Sequence, residues 1–275
     1  MAQTLIRRFG QKKAGWALGL TGLVIGTTVF FEAGVVVLIP LAFSVAKQTK
    51  KSTLYYAIPL LSGLASGYAF VPPSAGSVLV ANALGVNLGT MIMVGIPTAL
   101  ICMLVSGIIW GGFIGNKIFT ELPANVGEIK DDGKELPSFG LVLGVIRWML
   151  QDSGLGNIIG PALEKSGLPL ILIAFFIAIL VRASVGSSIV AMTMASGIMA
   201  TMPAVMDTSM LYRAAMCCAI CGGATALSHV NDAGFWLVGT FLEIDEKTTL
   251  KSWTIMETLI GVTALLVSLV ISIFA

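Results

Sequence analysis

The chain has 275 residues, of which 56% are apolar and 11% charged, with a net charge of +2. Soluble domains carry roughly 25% charged residues, so a soluble globular fold is excluded, and no basic stripe suited to nucleic acid is present. What remains is an all-α polytopic membrane protein, with the lipid bilayer as its solvent.

Met1 to Lys13 is short and basic and reads as an interfacial helix, without the early apolar core of a cleavable signal peptide. Ala14 to Ala46 carries one charge, Glu32, and basic residues flank it on both sides. A straight helix of that length would measure about 50 Å against roughly 30 Å of hydrocarbon. The positive-inside rule wants both ends in the cytoplasm. Segment 14–47 is therefore expected to be a re-entrant hairpin with its tip at Glu32-Ala33-Gly34. Two complete short spans would return the chain to the same side equally well.

Segment 53–84 reads as a broken helix. Thr53 to Phe70 is its first half, Val71 to Gly76 a polar knot and Ser77 to Leu84 its second half. No Asp, Glu, Lys or Arg occurs from Ser52 to Asn116. Segment 89–116 is a full span, and its Gly107, Gly111 and Gly115 favour close helix contact. Residues 117–138 form a polar linker. Phe139 to Leu150 is too short to cross and is interrupted by Arg147, and Gly154 to Lys165 reads as a surface helix.

The plan then recurs. Segment 168–203 is apolar with one charge, Arg182, and is expected to be a second hairpin with its tip at Arg182 to Ser188. Segment 208–242 is a second broken helix, with the knot Ser228-His229-Val230-Asn231-Asp232-Ala233-Gly234 between Leu211–Leu227 and Phe235–Leu242. After a charged loop, Glu243 to Lys251, comes the last span at 252–274. Residues 1–116 and 139–275 are thus expected to be two repeats, each a re-entrant hairpin, a broken transmembrane helix and a full one. They are inverted if the segment between them crosses the membrane once. Cys102, Cys217, Cys218 and Cys221 lie in apolar runs and read as packing residues, since nothing completes a metal ligand set.

Water is absent at mid-bilayer, so unwound backbone survives there only when buried in protein or lining a cavity. Paired breaks in two halves point to a transporter's binding site. Arg182 is costly in the membrane unless it meets protein, water or a partner charge, and its planar fork suits a substrate carboxylate. The competing reading is a snorkelling residue, or a structural pair with Glu32 or Asp232. Glu32 and Asp232 are candidate proton carriers, because burial and a nearby Arg pull a carboxyl's proton affinity in opposite senses. A fixed pair that sets helix register is the structural alternative. His229 either joins a proton relay or caps the broken helix. Asn231, Ser184, Ser187, Ser188 and Ser74 offer neutral partners to substrate hydroxyls or to unwound backbone. Pro73 lies in the first knot, and Gly34, Gly76, Gly186 and Gly234 allow tight turns and close backbone approach. Half-helix N-termini after Gly76 and Gly234 would turn positive ends toward an anion. Free carbonyls at the breaks could hold sodium in the proton's place. An enzyme built on Ser228, His229 and Asp232 is disfavoured, as neither GxSxG nor HExxH occurs.

Phe31-Glu32-Ala33-Gly34, Val71-Pro72-Pro73, Arg182 through Ser188, Ser228 through Trp236, Lys251-Ser252-Trp253 and Glu257 together resemble the gluconate permease family of bacterial proton symporters. The resemblance implies the inverted-repeat ion-transporter architecture and multi-pass placement in the bacterial inner membrane. It implies proton symport of a small organic anion, gluconate or a related sugar acid, with no cofactor beyond the gradient and no catalytic or metal-binding residue. The family is longer: by that likeness the chain begins partway into the first repeat and lacks several helices near Ser138 to Val145. That keeps open a partial permease with a structural role, or a homo-oligomer in which a second copy supplies missing contacts. The first knot reads Pro72-Pro73-Ser74-Ala75-Gly76-Ser77, where the family has Pro-Pro-His-Pro-Gly-Pro.

Overall fold

Long apolar runs rich in Ala, Gly and Leu fold as helices throughout the computed structural model, which describes residues 13–123 and 167–275. The first half contains α1 (Ala14–Gly26), α2 (Phe31–Thr49), α3 (Thr53–Phe70), α4 (Ala75–Ala83) and α5 (Leu88–Lys117). The second contains α6 (Leu170–Val185), α7 (Ser188–Ala200), α8 (Met210–Thr225), α9 (Ala233–Leu242) and α10 (Glu246–Ser272), with a single turn, Pro203–Met206, before α8. Both α5 and α10 contain a π-helical stretch, Met103–Ile109 and Leu250–Thr254. Among the described residues, Phe31–Thr49, Thr53–Ala83, Leu88–Lys117 and Glu246–Ser272 are long and apolar enough to cross a membrane. The protein is a multi-pass membrane protein.

Helices α3 and α8 form the axis. Almost all of α3 is buried, as is α8 from Ala214 to Thr225, and both are apolar on every side, as enclosed helices must be. Each collects an equivalent set of neighbours: α1, α2 and α5 pack on α3, and α6, α7 and α10 pack on α8. The halves interlock, because α4 packs on α7 while α9 packs on α2. Lipid offers no hydrophobic drive between helices, so close van der Waals packing must hold them. A Cβ on Gly63 would lie 1.9 Å from the Gly19 carbonyl oxygen, so α1 and α3 meet backbone to backbone. Cys217, Cys218 and Cys221 are free and buried within α8, and the Cys102 thiol faces the Ile260 carbonyl at 3.5 Å.

Several boundaries differ from those expected. The first hairpin turns at residues 27–30, not at Glu32-Ala33-Gly34, which lie in the first turn of α2. The Thr27 and Thr28 hydroxyls donate back to the Val24 and Ile25 carbonyls at 2.8 and 3.2 Å and so close α1 early. Glu32 then falls where an acidic residue complements the positive end of a helix. The second hairpin turns at Gly186 and Ser187, inside the stretch expected. The half-helices begin at Ala75 and Ala233, so Gly76 and Gly234 sit within first turns rather than ahead of them. The caps are Ser74 and Asp232. Much of the stretch expected as a charged loop, 243–251, is already helical, since Asp245 starts α10 by accepting from the Thr248 amide at 3.0 Å. The interfacial helix at residues 1–12, the linker beyond 123, and the segments 139–150 and 154–165 lie outside the described residues.

Candidate binding site at the second helix break

The turn between α6 and α7 lies against the break between α8 and α9. Gly186 has φ +81, in the left-handed region, and a Cβ there would lie 2.1 Å from the Asn231 carbonyl oxygen. Only glycine admits both that backbone conformation and that approach. From the break, the Asn231 amide Nδ2 donates to the Ala183 carbonyl at 2.8 Å, tying the break to the last turn of α6.

Arg182, in the last turn of α6, is 3% exposed. Its Nη2 donates to Asp232 Oδ2 at 2.5 Å and its Nη1 to the Gly186 carbonyl. Ser228 Oγ donates to the same Asp232 oxygen, and Oδ1 of Asp232 accepts from the Gly234 amide at 3.1 Å. Asp232 therefore caps α9, and both its oxygens serve as acceptors. The buried guanidinium is paired and hydrogen-bonded, as burial of a charge requires. The Nε of Arg182 is buried without a partner.

Helix α10 supplies the far wall from its π-helical stretch, a feature that recurs at functional sites. Trp253 Nε1 donates to Ser228 Oγ at 2.7 Å, and Thr254 Oγ1 to the Ser228 carbonyl at 2.5 Å. One turn further along lies Glu257, 4% exposed, with Oε1 buried and unpartnered. The charges of Arg182 and Asp232 both act on it. The Trp253 ring stacks, tilted, on Phe31 at 5.3 Å between centroids, joining this wall to the first hairpin.

The first break approaches from the other side of α7. Ser74 and Ser77 hydroxyls bond each other at 2.7 Å, and a Cβ on Gly76 would meet the sulfur of Met192 at 2.7 Å. Met192 is four residues from Ser188, roughly 6 Å along the helix, so α7 bridges the two breaks.

Two stretches of the chain, residues 1–146 and 143–274, match the family model described as GntP family permease. The chain belongs to the GntP family of permeases. The low-affinity gluconate transporter of Escherichia coli K12 is 29% identical over 353 aligned positions, covering 98% of this chain and 79% of that protein. A gluconate permease of Pseudomonas aeruginosa is 26% identical, covering 99% of this chain and 79% of the relative. The Gnt-II system L-idonate transporter of Escherichia coli K12 is 27% identical, covering 97% and 79%. No solved structure matches. These relatives are transporters, which sets the enzyme reading aside. The alignment of 353 positions exceeds the 275 residues of this permease, and the two family matches meet at residues 143–146. Relatives thus carry stretches with no counterpart here.

Within this GntP permease the expected residues divide. Arg182, Asp232, Gly186 and Asn231 converge, and Ser187 caps α7 beside them by accepting from the Val190 amide at 3.5 Å, with Ser188 and Gly234 adjoining. Ser184 turns away: it is exposed and donates to the Leu180 carbonyl at 2.8 Å. Glu32 is exposed on α2, and the acid that holds Arg182 is Asp232. His229 Nδ1 donates to the Leu227 carbonyl at 2.6 Å, so the ring caps free backbone. Pro73 is exposed, whereas Ser74 and Gly76 are buried one helical turn of α7 away. The positive end of α9 is occupied by Asp232 itself, so that helix terminus is not open to a substrate anion. Ser228, Trp253 and Glu257 were not singled out as site residues from the sequence. Glu257 carried a usable signal, being the sole charge from Ser252 to Ala275.

Ser228→Ala is expected to lower the thermal midpoint of the detergent-solubilised protein. It strands the Trp253 Nε1–H, on a residue 2% exposed, and an orphaned buried donor costs about 1–3 kcal/mol. An unchanged midpoint would contradict this account of the wall.

Proposed function

We propose that this permease carries a sugar-acid anion, gluconate or a close relative such as idonate, across the bacterial inner membrane, driven by co-transported protons. The observation that carries this reading is Arg182, a buried guanidinium held by a single carboxylate between two unwound segments. A guanidinium recognises a carboxylate through two parallel hydrogen bonds, and the gluconate and idonate transporters named above handle hydroxy acids. Ser187, Ser188, Asn231 and Ser74 are the neutral groups expected to meet substrate hydroxyls.

The recurring element order and the interlocked packing of the halves support two repeats of opposite orientation, the plan of an alternating-access carrier. The second hairpin is read as re-entrant: its arms of 16 and 13 residues in α6 and α7 reach only about 20–24 Å, short of roughly 30 Å of hydrocarbon. In the first hairpin α1 is equally short at 13 residues, whereas α2, with 19, is long enough to cross.

Proteoliposomes holding the purified protein and an internal pool of gluconate are expected to take up labelled gluconate by counterflow. An inward proton gradient is expected to drive accumulation, and replacing it with a sodium gradient is not. Absence of counterflow by correctly inserted protein would refute the carrier reading. A second reading, a shortened permease active only as an oligomer, is favoured by the family positions missing at residues 143–146. Particle mass in detergent, measured beside uptake, separates the two.

A further inference from the structure

The Arg182 cluster holds two carboxyl groups and one guanidinium, and only one carboxyl is bonded to it. Asp232 takes Nη2. The Nε donor of Arg182 and the Oε1 acceptor of Glu257 are both buried and both unpartnered. Helices α6 and α10 pack directly on each other, and α10 is registered against the break by Trp253 and Thr254, one turn before Glu257. An orphan donor and an orphan acceptor in one buried cluster call for an explanation, because each forfeits a hydrogen bond that water would have supplied.

Given the proton-driven carrier proposed above, we infer that Glu257 is the carboxyl that binds the co-transported proton, and that its charged form competes with the substrate carboxylate for Arg182. When Glu257 is deprotonated in the empty site, its charge is drawn to the guanidinium already shared with Asp232. When a substrate carboxylate arrives, the same guanidinium must serve it, and three carboxylates around one cation are untenable in a dry site. A proton taken up by Glu257 removes one negative charge and leaves the cluster's net charge as it was. Asp232 need not move, since its oxygens go on accepting from Arg182, Ser228 and the Gly234 amide. One anion and one proton thus enter and leave together.

Among the described residues of the helices packed on α10, no other charge faces Glu257. Of the helices packed on α10, neither α3 nor α5 carries a charged residue before Lys117. On α8 the charged side chain is Arg213, which is engaged by the Leu84 carbonyl at 3.2 Å. The ring of His229 is held by the Leu227 carbonyl.

The test compares wild type, Glu257→Gln and Glu257→Asp in proteoliposomes, with labelled gluconate as probe. In wild type, affinity should fall as pH rises, because the deprotonated carboxyl is the competitor. The loss should be on the order of tenfold, the usual size of such linkage. Glu257→Gln should lose accumulation driven by the proton gradient, and its gluconate binding should show no pH dependence. Glu257→Asp keeps a titrating group one methylene further away, so accumulation should persist with a displaced pH profile. Should Glu257→Gln fail to insert, the displaced profile of Glu257→Asp decides. Gradient-driven accumulation in Glu257→Gln, or an unaltered pH profile in the variants that insert, overturns the assignment. A wild type that exchanges gluconate without responding to protons refutes proton symport itself, a distinct outcome.

Discussion

Arg182→Ala is expected to abolish gluconate uptake and to destabilise the protein. Two losses coincide. The substrate carboxylate loses its guanidinium, and Asp232 is left as a buried charge whose Oδ2 keeps only Ser228 as a donor. Breaking a buried pair by removing one partner costs about 3–5 kcal/mol, enough to depress the thermal midpoint in detergent by many degrees. Loss of uptake alone would therefore not distinguish a binding residue from a structural one. The double variant Arg182→Met with Asp232→Ala does. Replacing both members of a buried pair by apolar groups is often neutral or stabilising, apart from about 1 kcal/mol for the lost cap of α9. Most of the stability should return and uptake should not. Restored uptake in the double variant would show that the pair is scaffolding. Arg182→Lys is expected to fall between, because an ammonium cannot span Asp232 and the Gly186 carbonyl in a fixed fork.

The breaks were legible in the sequence because their physics is local. Proline, glycine and clustered polar side chains interrupt apolar runs at Val71–Gly76 and Ser228–Gly234, and the helices do stop there. Arg182 stood out for the same reason, as a lone charge in an apolar segment. Glu32 carried an identical signal yet faces outward, because the hairpin turned a few residues earlier than its apolar pattern suggested. Two threonine hydroxyls bonding backward decided that, and such bonds leave no periodicity to read. Which acid would meet Arg182 was likewise undetermined: Glu32 and Asp232 lie on separate elements, and only tertiary packing selects between them. The role of Ser228 depends on a contact with Trp253, far along the chain, that no spacing rule predicts.

Gly186→Ala is expected to remove transport although it deletes no charged or polar side chain of the site. Alanine at φ +81 incurs roughly 1–2 kcal/mol of backbone strain. Its Cβ would also lie 2.1 Å from the Asn231 carbonyl oxygen, an approach that backbone cannot relieve without separating hairpin tip from break. Overpacking of that kind adds about 1–3 kcal/mol. Separation would draw the Gly186 carbonyl away from Arg182 Nη1 and the Ala183 carbonyl away from Asn231, so the guanidinium would lose its aim even with Asp232 intact. The expected signature is a loss of counterflow larger than the fall in thermal midpoint would suggest. Gly197→Ala on α7, where an added Cβ meets nothing within 4 Å, is the control and should transport as wild type does. Equal activity in the two variants would mean that the close approach of α6–α7 to the second break is not what orients Arg182.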